Sequence, residues 1–168
     1  MIVGHRGLRL DYPDNSREGI LAATRVCDMV EIDVRRTRDG VAVLAHDSQI
    51  GGQTIIDTDW RELAELDLGG GLHPARLDAV LSAAPGTPFN LEIKNSPADP
   101  DFDDTFAFAL EVAQLASDGD VLTSFHWPTI DAIRRAFPEV TTGLATAAYG
   151  HGCVAQAPVV IVVCADAD

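Results

Sequence analysis

The chain has 168 residues, 46% of them apolar and 23% charged, and its 12 basic and 26 acidic residues give a formal net charge of −14. This length and balance fit one soluble globular domain with a substantial core. The acidic field argues against nucleic acid and anionic lipid as partners, because both interactions depend on Lys and Arg; a small anionic substrate is admissible where a metal ion or local cations reverse the sign.

In chain order, the sequence opens in a strand-like run, Met1–Gly4, with no basic and apolar leader ahead of it, and so no signal peptide is visible. His5-Arg6-Gly7 follows. Ser16 is a suitable N-cap for a helix over Ser16–Val26, with Glu18 in the first turn. A strand over Met29–Val34 carries Glu31 and Asp33. Asp39-Gly40 is a tight-turn dipeptide before a strand over Val41–Ala45, which ends on His46-Asp47. A helix fits Trp60–Leu66, Gly69-Gly70-Gly71 is a loop, and a further helix fits Leu77–Ala84. Strand Phe89–Ile93 delivers Glu92 and then Lys94. Beyond the Pro97–Pro100 loop come a helix over Phe102–Ala116, strand Val121–Ser124, helix Pro128–Phe137, and strands Thr141–Ala145 and Val159–Cys164.

Strands alternating with amphipathic helices predict an α/β fold, a (β/α) barrel with a parallel sheet. Seven strand candidates in a chain well short of the ~250 residues usual for a complete barrel predict a barrel incomplete at its C-terminus, or a native protein that is longer. No boundary divides the chain, so residues 1–168 are expected to form one domain. The run Val159–Ala165 is too short to span a bilayer. Cys27, Cys153 and Cys164 are odd in number and widely spaced, which fits free thiols in a reducing compartment and a cytoplasmic protein.

Residues two apart on a strand share a face. Glu31 and Asp33 therefore point together, as do Glu92 and Lys94, while Val30, Ile32, Leu91 and Ile93 take the opposite face. At the C-terminal ends of barrel strands both pairs face the axis, where barrel active sites lie. Three converging carboxylates repel one another, and a divalent cation relieves that; all-oxygen ligation favours Mg²⁺, Ca²⁺ or Mn²⁺ over zinc. His5 and His46, at strand ends, suit the two proton transfers of phosphodiester cleavage, and Arg6 and Lys94 suit the phosphoryl oxygens. These residues describe a metal-assisted phosphodiester hydrolase.

His5-Arg6-Gly7, Pro13-Asp14-Asn15-Ser16, Glu31-Ile32-Asp33-Val34, Thr37-Arg38-Asp39-Gly40, His46-Asp47 and Glu92-Ile93-Lys94 resemble, in order and spacing, the glycerophosphodiester phosphodiesterase family. The likeness covers roughly residues 1–145 and includes Ser124-Phe125. It implies a TIM-type barrel with a small insertion between the third and fourth strands, filled here by 48–74. It also implies a Ca²⁺- or Mg²⁺-dependent hydrolase releasing glycerol 3-phosphate and an alcohol from a small-molecule glycerophosphodiester. By position, His5 and His46 match the family's acid/base pair; Glu31, Asp33 and Glu92 match its metal ligands; and Arg6 and Lys94 match its phosphate-contacting cations. Asn15 falls where the family keeps a supporting Asn. The family's late Trp-Thr-Val-Asn strand and closing Gly-x-Asp-Gly-Ile-x-Thr-Asp strand have no counterpart here.

Other polar residues have plainer readings. His73 and His151 read as exposed loop residues, His126-Trp127 as rim or core packing, and Trp60 as packing within the insertion. Arg35 and Arg36 read as a solvated face with one salt bridge, and Glu92/Lys94 has an internal salt bridge as its structural alternative. The competing function is a truncated, non-catalytic remnant that at most binds metal or phosphodiester; a secreted, disulfide-bonded phospholipase D-like toxin ranks last. Unpaired strand edges, Val159–Cys164 among them, predict homo-oligomerisation.

Overall fold

The computed structural model describes residues 1–146 and the backbone of strand 159–162. The elements are β1 (Val3–His5), α1 (Arg17–Ala23), β2 (Met29–Arg36), β3 (Ala42–Leu44), β4 (Gln49–Ile50), β5 (Gln53–Thr54), α2 (Trp60–Leu63) and α3 (Leu77–Ala83). They continue with β6 (Phe89–Ile93), α4 (Ala107–Ala113), β7 (Val121–Ser124), α5 (Trp127–Ala136), β8 (Thr141–Thr146) and β9 (Val159–Val162). Six strands pair in parallel in the order β1-β2-β6-β7-β8-β9. The result is the expected incomplete α/β barrel, an open parallel sheet with a small antiparallel insertion.

One strand runs in the unexpected direction. β3 pairs antiparallel with the far end of β2, in the register Val34↔Leu44, Arg35↔Val43 and Arg36↔Ala42. A parallel return needs a crossover of a dozen or more residues, and only 37–41 separate the two runs. There the Thr37 N–H donates to the Val41 carbonyl at 3.0 Å and Gly40 takes φ +82°. The segment is thus a hairpin arm, so six strands of the described sheet are parallel. The helix expected over Phe102–Ala116 is shorter, because Asp103 first ties off a turn: its carboxylate accepts from the N–H groups of Thr105 and Phe108 at 3.0 Å each, and Phe106 enters with φ +61°.

The even residues of β2, Val30, Ile32 and Val34, join Phe89, Leu91 and Ile93 of β6 and Leu122 of β7 on the helix-covered face. Ile20, Leu77, Val80, Phe108, Val112, Ile130 and Ile133 close over them, all buried. Each such side chain contributes roughly 1.5–3 kcal/mol on burial. The opposite face is polar and also buried: Glu31, Asp33, Asn90, Glu92 and Thr123, with Thr123 Oγ1 donating to Asn90 Oδ1 at 2.8 Å. The 48–74 segment builds its own small cluster from Ile50, Ile55 and Leu63 on Val43 and Ala45, with Trp60 packed against it as expected.

Gly7 fixes how the β1 end meets α1. It has φ +91°, and a Cβ there would lie 2.7 Å from the Gly19 carbonyl carbon and 2.8 Å from the Ile20 nitrogen, both rigid backbone. Gly7→Ala is expected to combine left-handed strain with overpacking and to cost about 3 kcal/mol, a fall of roughly 10 °C in Tm for a domain this size. Thermal unfolding checks it; an unchanged Tm would show that the turn relaxes freely.

Candidate active site

The parallel register places the polar residues in adjacent rungs. His5 sits opposite Glu31, Asp33 opposite Glu92, and Glu92 opposite Thr123. Glu31, Asp33 and Glu92 each offer an oxygen within 4.8 Å of the others, and all three are buried. Burial first, then repulsion from Asp33 and Glu92, pushes the Glu31 carboxyl well above the usual carboxylate range. Glu92 is raised by burial, an effect Lys94 opposes and Asp33 reinforces; His46 is near enough to Glu92 to pull slightly the other way. Asp33 goes down instead: burial opposes its ionisation, but Lys94, the Asn15 amide and Arg6 together outweigh that.

The two cations expected on phosphate are engaged by carboxylates. Arg6 Nη1 and Nε lie 3.1 Å from Asp14 Oδ2 and Asp33 Oδ2. Lys94 Nζ lies 2.9 Å from Asp33 Oδ1 and is bonded to Glu92 Oε1, so the Glu92/Lys94 salt bridge foreseen as the structural alternative is present. Arg6 Nε and Asp33 Oδ1 are at ion-pair distance from these partners without an aligned hydrogen bond. Glu31 Oε2 accepts from the Arg6 N–H at 3.1 Å, but its Oε1 is buried with no hydrogen-bond partner. Three buried carboxylates, one with an orphaned oxygen, are the donor set a hard divalent ion requires.

Asn15 is built into this cluster. It takes φ +57°, which Asn tolerates better than most residues, donates through Nδ2 to Asp33 Oδ2 at 2.8 Å, and accepts the Asp33 N–H at 3.1 Å. Asn15→Ala removes both bonds and strains the turn, and is expected to cost about 2 kcal/mol. Asn15→Gly, free of the strain, should cost less. Equal destabilisation in denaturant would show that the bonds alone matter.

His5 is partly exposed, with Nε2 3.8 Å from Glu31 Oε2; burial and then Arg6 lower its pKa, which favours the neutral imidazole. His46 follows β3 on the wall of a cleft of about 770 Å³ shared with Lys94, Ser124 and Phe125. Its side chain is 44% exposed and its Nδ1 lies 2.8 Å from Asp47 Oδ1. Lys94 borders both the carboxylates and the cleft, 5.6 Å over the Phe125 ring. His126 packs against Phe102 and Phe106, as rim packing predicts, and His73 is exposed. Cys27 is a free thiol; His151, Cys153 and Cys164 lie outside the described residues.

Arg35 overturns its sequence reading. It is buried rather than solvated, and bonds the His46 carbonyl, Asp99 and Asp101. The signal was available in the same period-2 rule, since Arg35 continues the series Glu31, Asp33. Arg36 is half-buried with its guanidinium 5.5 Å over Phe108.

The model of the glycerophosphoryl diester phosphodiesterase family matches residues 5–150. The Mycobacterium tuberculosis (strain H37Rv) protein named Probable glycerophosphodiester phosphodiesterase 2 is 35% identical over 103 residues, 57% of this chain and 39% of that one. The crystal structure of an Agrobacterium tumefaciens glycerophosphodiester phosphodiesterase matches with a TM-score of 0.71 and 26% identity, over 86% of this chain and 66% of that one. An Oleispira antarctica phosphodiesterase, solved with the product sn-glycerol-3-phosphate, matches with a TM-score of 0.76 and 26% identity, over 90% of this chain and 68% of its own. The chain therefore spans between 39% and 68% of the length of these relatives.

Proposed function

This chain belongs to the glycerophosphoryl diester phosphodiesterase family, and we propose that it hydrolyses glycerophosphodiesters to glycerol 3-phosphate and an alcohol with a divalent cation. The observation that carries the reading is the buried trio Glu31, Asp33 and Glu92 with its orphaned Glu31 oxygen, beside a Lys94 that opens onto the cleft bearing His46. The product bound to the Oleispira antarctica relative fits the same chemistry.

Glu31, Asp33 and Glu92 are the residues that would hold Mg²⁺ or Ca²⁺. When bound, such an ion supplies Lewis-acid stabilisation of the phosphoryl oxygens. The chain's own groups do the remaining work. His5, whose pKa burial and Arg6 lower, suits the base that takes a proton from the nucleophile. His46, bonded through Nδ1 to Asp47 and exposed to the cleft, is left to give a proton from its Nε2 to the leaving oxygen. Arg6 and Lys94 provide positive charge for the phosphoryl group, and Asn15 holds Asp33 in place.

The test is release of glycerol 3-phosphate from glycerophosphocholine or glycerophosphoethanolamine with added Mg²⁺ or Ca²⁺, and its loss on chelation. A folded protein that binds metal yet turns over no headgroup would instead be the metal- or phosphodiester-binding remnant.

The reading takes residues 1–168 as one domain with 48–74 as an insertion, acting in the cytoplasm on a small molecule rather than on nucleic acid. Among the described residues no helix is long and apolar enough to cross a membrane. The outer edge of β1 has no strand partner among the described residues, and Met1, Ile2 and Val3 are exposed there. Self-association through this edge is expected, and a stable monomer by light scattering at high concentration would count against it.

A further inference from the structure

Arg35 lies on β2 two residues beyond Asp33, with its side chain only 4% exposed. Its Nε and Nη2 both donate to the backbone carbonyl of His46, at 3.0 and 2.8 Å. Its Nη1 reaches both carboxylate oxygens of Asp101 at 2.8 Å, and Nη2 also donates to Asp99 Oδ2 at 3.0 Å. One guanidinium thus ties together two loops. The first is His46-Asp47 after β3; the second begins directly after Lys94 at the end of β6 and runs to Asp101. His46, Lys94 and Asp99 all line the same cleft.

The His46 ring has little to hold it. Its hydrogen bond goes to the adjacent Asp47, on the same loop, so where the ring sits follows from where its backbone sits. A planar fork of five donors can grip a carbonyl and two carboxylates at once; an ammonium is a point charge that cannot. Burying such a charge is weak evidence of stability, since apolar replacements of buried ion pairs are often neutral or better. The contacts converge on the loop that carries His46 into the cleft.

We propose that Arg35 is a positioning residue for phosphodiester hydrolysis: by holding the His46 carbonyl and anchoring on Asp99 and Asp101, it sets His46 against Lys94 across the cleft. The role rests on the hydrolase reading above. Arg35 reaches the cleft wall, but its Nε, Nη1 and Nη2 are all directed at the His46 carbonyl and the two aspartates, and it acts through His46.

Arg35→Lys tests this, with the uncharged triple variant Arg35→Met, Asp99→Asn, Asp101→Asn as a second protein that leaves no unpaired buried acid. Both should fold, bind metal as wild type does and keep KM within about two-fold, while kcat falls roughly 10- to 100-fold, the scale of a misplaced catalytic group. In a His46→Ala background Arg35→Lys should have no further effect, because residues acting as a unit are not additive. Amide hydrogen exchange should quicken over 45–48 and 96–101. Additive losses with His46→Ala, or unchanged exchange over both loops, would overturn the proposal. A wild-type chain without turnover would remove the hydrolase reading and the reaction role with it, and exchange alone then decides whether Arg35 ties the loops.

Discussion

Glu31→Gln is expected to lower phosphodiester hydrolysis about a thousand-fold, the equivalent of the several kcal/mol a Lewis acid supplies, while making the metal-free protein more stable than wild type at neutral and higher pH. The two halves have one cause. Glu31 is 3% exposed, and burial with the Asp33 and Glu92 charges raises its pKa well above the ordinary value. The folded state therefore holds this proton more tightly than the unfolded chain. Stability from the protonated form is complete below the unfolded carboxylate range and is lost as pH rises through the raised folded value. Gln keeps an oxygen for the Arg6 N–H that Glu31 Oε2 now accepts and does not titrate, so the stability difference between variant and wild type should widen with pH across that window.

Added Mg²⁺ or Ca²⁺ should reverse the order. An ion that binds only the folded state stabilises it by about 2.7 kcal/mol at a hundred times its Kd. Wild type should gain this and Glu31→Gln should gain much less. Thermal melts across pH, with and without metal, read both effects. Equal metal-induced shifts in the two proteins would remove Glu31 from the ligand set, whatever happens to activity.

Much of this site was legible in the sequence because period 2 is rigid: once β2 and β6 are strands, Glu31 with Asp33 and Glu92 with Lys94 must share faces. The register was not legible. That Asp33 sits opposite Glu92 depends on how two strands nearly sixty residues apart slide together. The engagement of Arg6 by Asp14 and Asp33 likewise arises where a left-handed turn meets a distant strand. Two departures from expectation had local signals. The five residues from Thr37 to Val41 cannot carry a parallel crossover, so Asp39-Gly40 already specified a hairpin. Arg35 extends the same face as Glu31 and Asp33; sequence alone puts it in solvent because arginine usually is exposed, and its acidic partners Asp99 and Asp101 lie on a loop more than sixty residues away.

His46→Ala is expected to cost between about a hundred- and ten thousand-fold in kcat, the range general acid–base groups supply, with little change in metal affinity or stability. The ring is 44% exposed and bonds a neighbour that is 81% exposed, so its removal opens no core cavity, and such surface changes usually stay within ~0.5 kcal/mol. His5→Ala should be equally slow but less clean, because His5 sits 3.8 Å from Glu31 and its loss alters the carboxylate cluster. The leaving group separates their roles. A glycerophosphodiester with an alkyl alcohol needs a proton on the departing oxygen, whereas a p-nitrophenyl ester departs as a stable anion. If His46 gives that proton, His46→Ala should recover most of its rate on the p-nitrophenyl ester and His5→Ala should not. Equal defects on both substrates would assign the acid to another group and leave His46 a contact residue of the cleft.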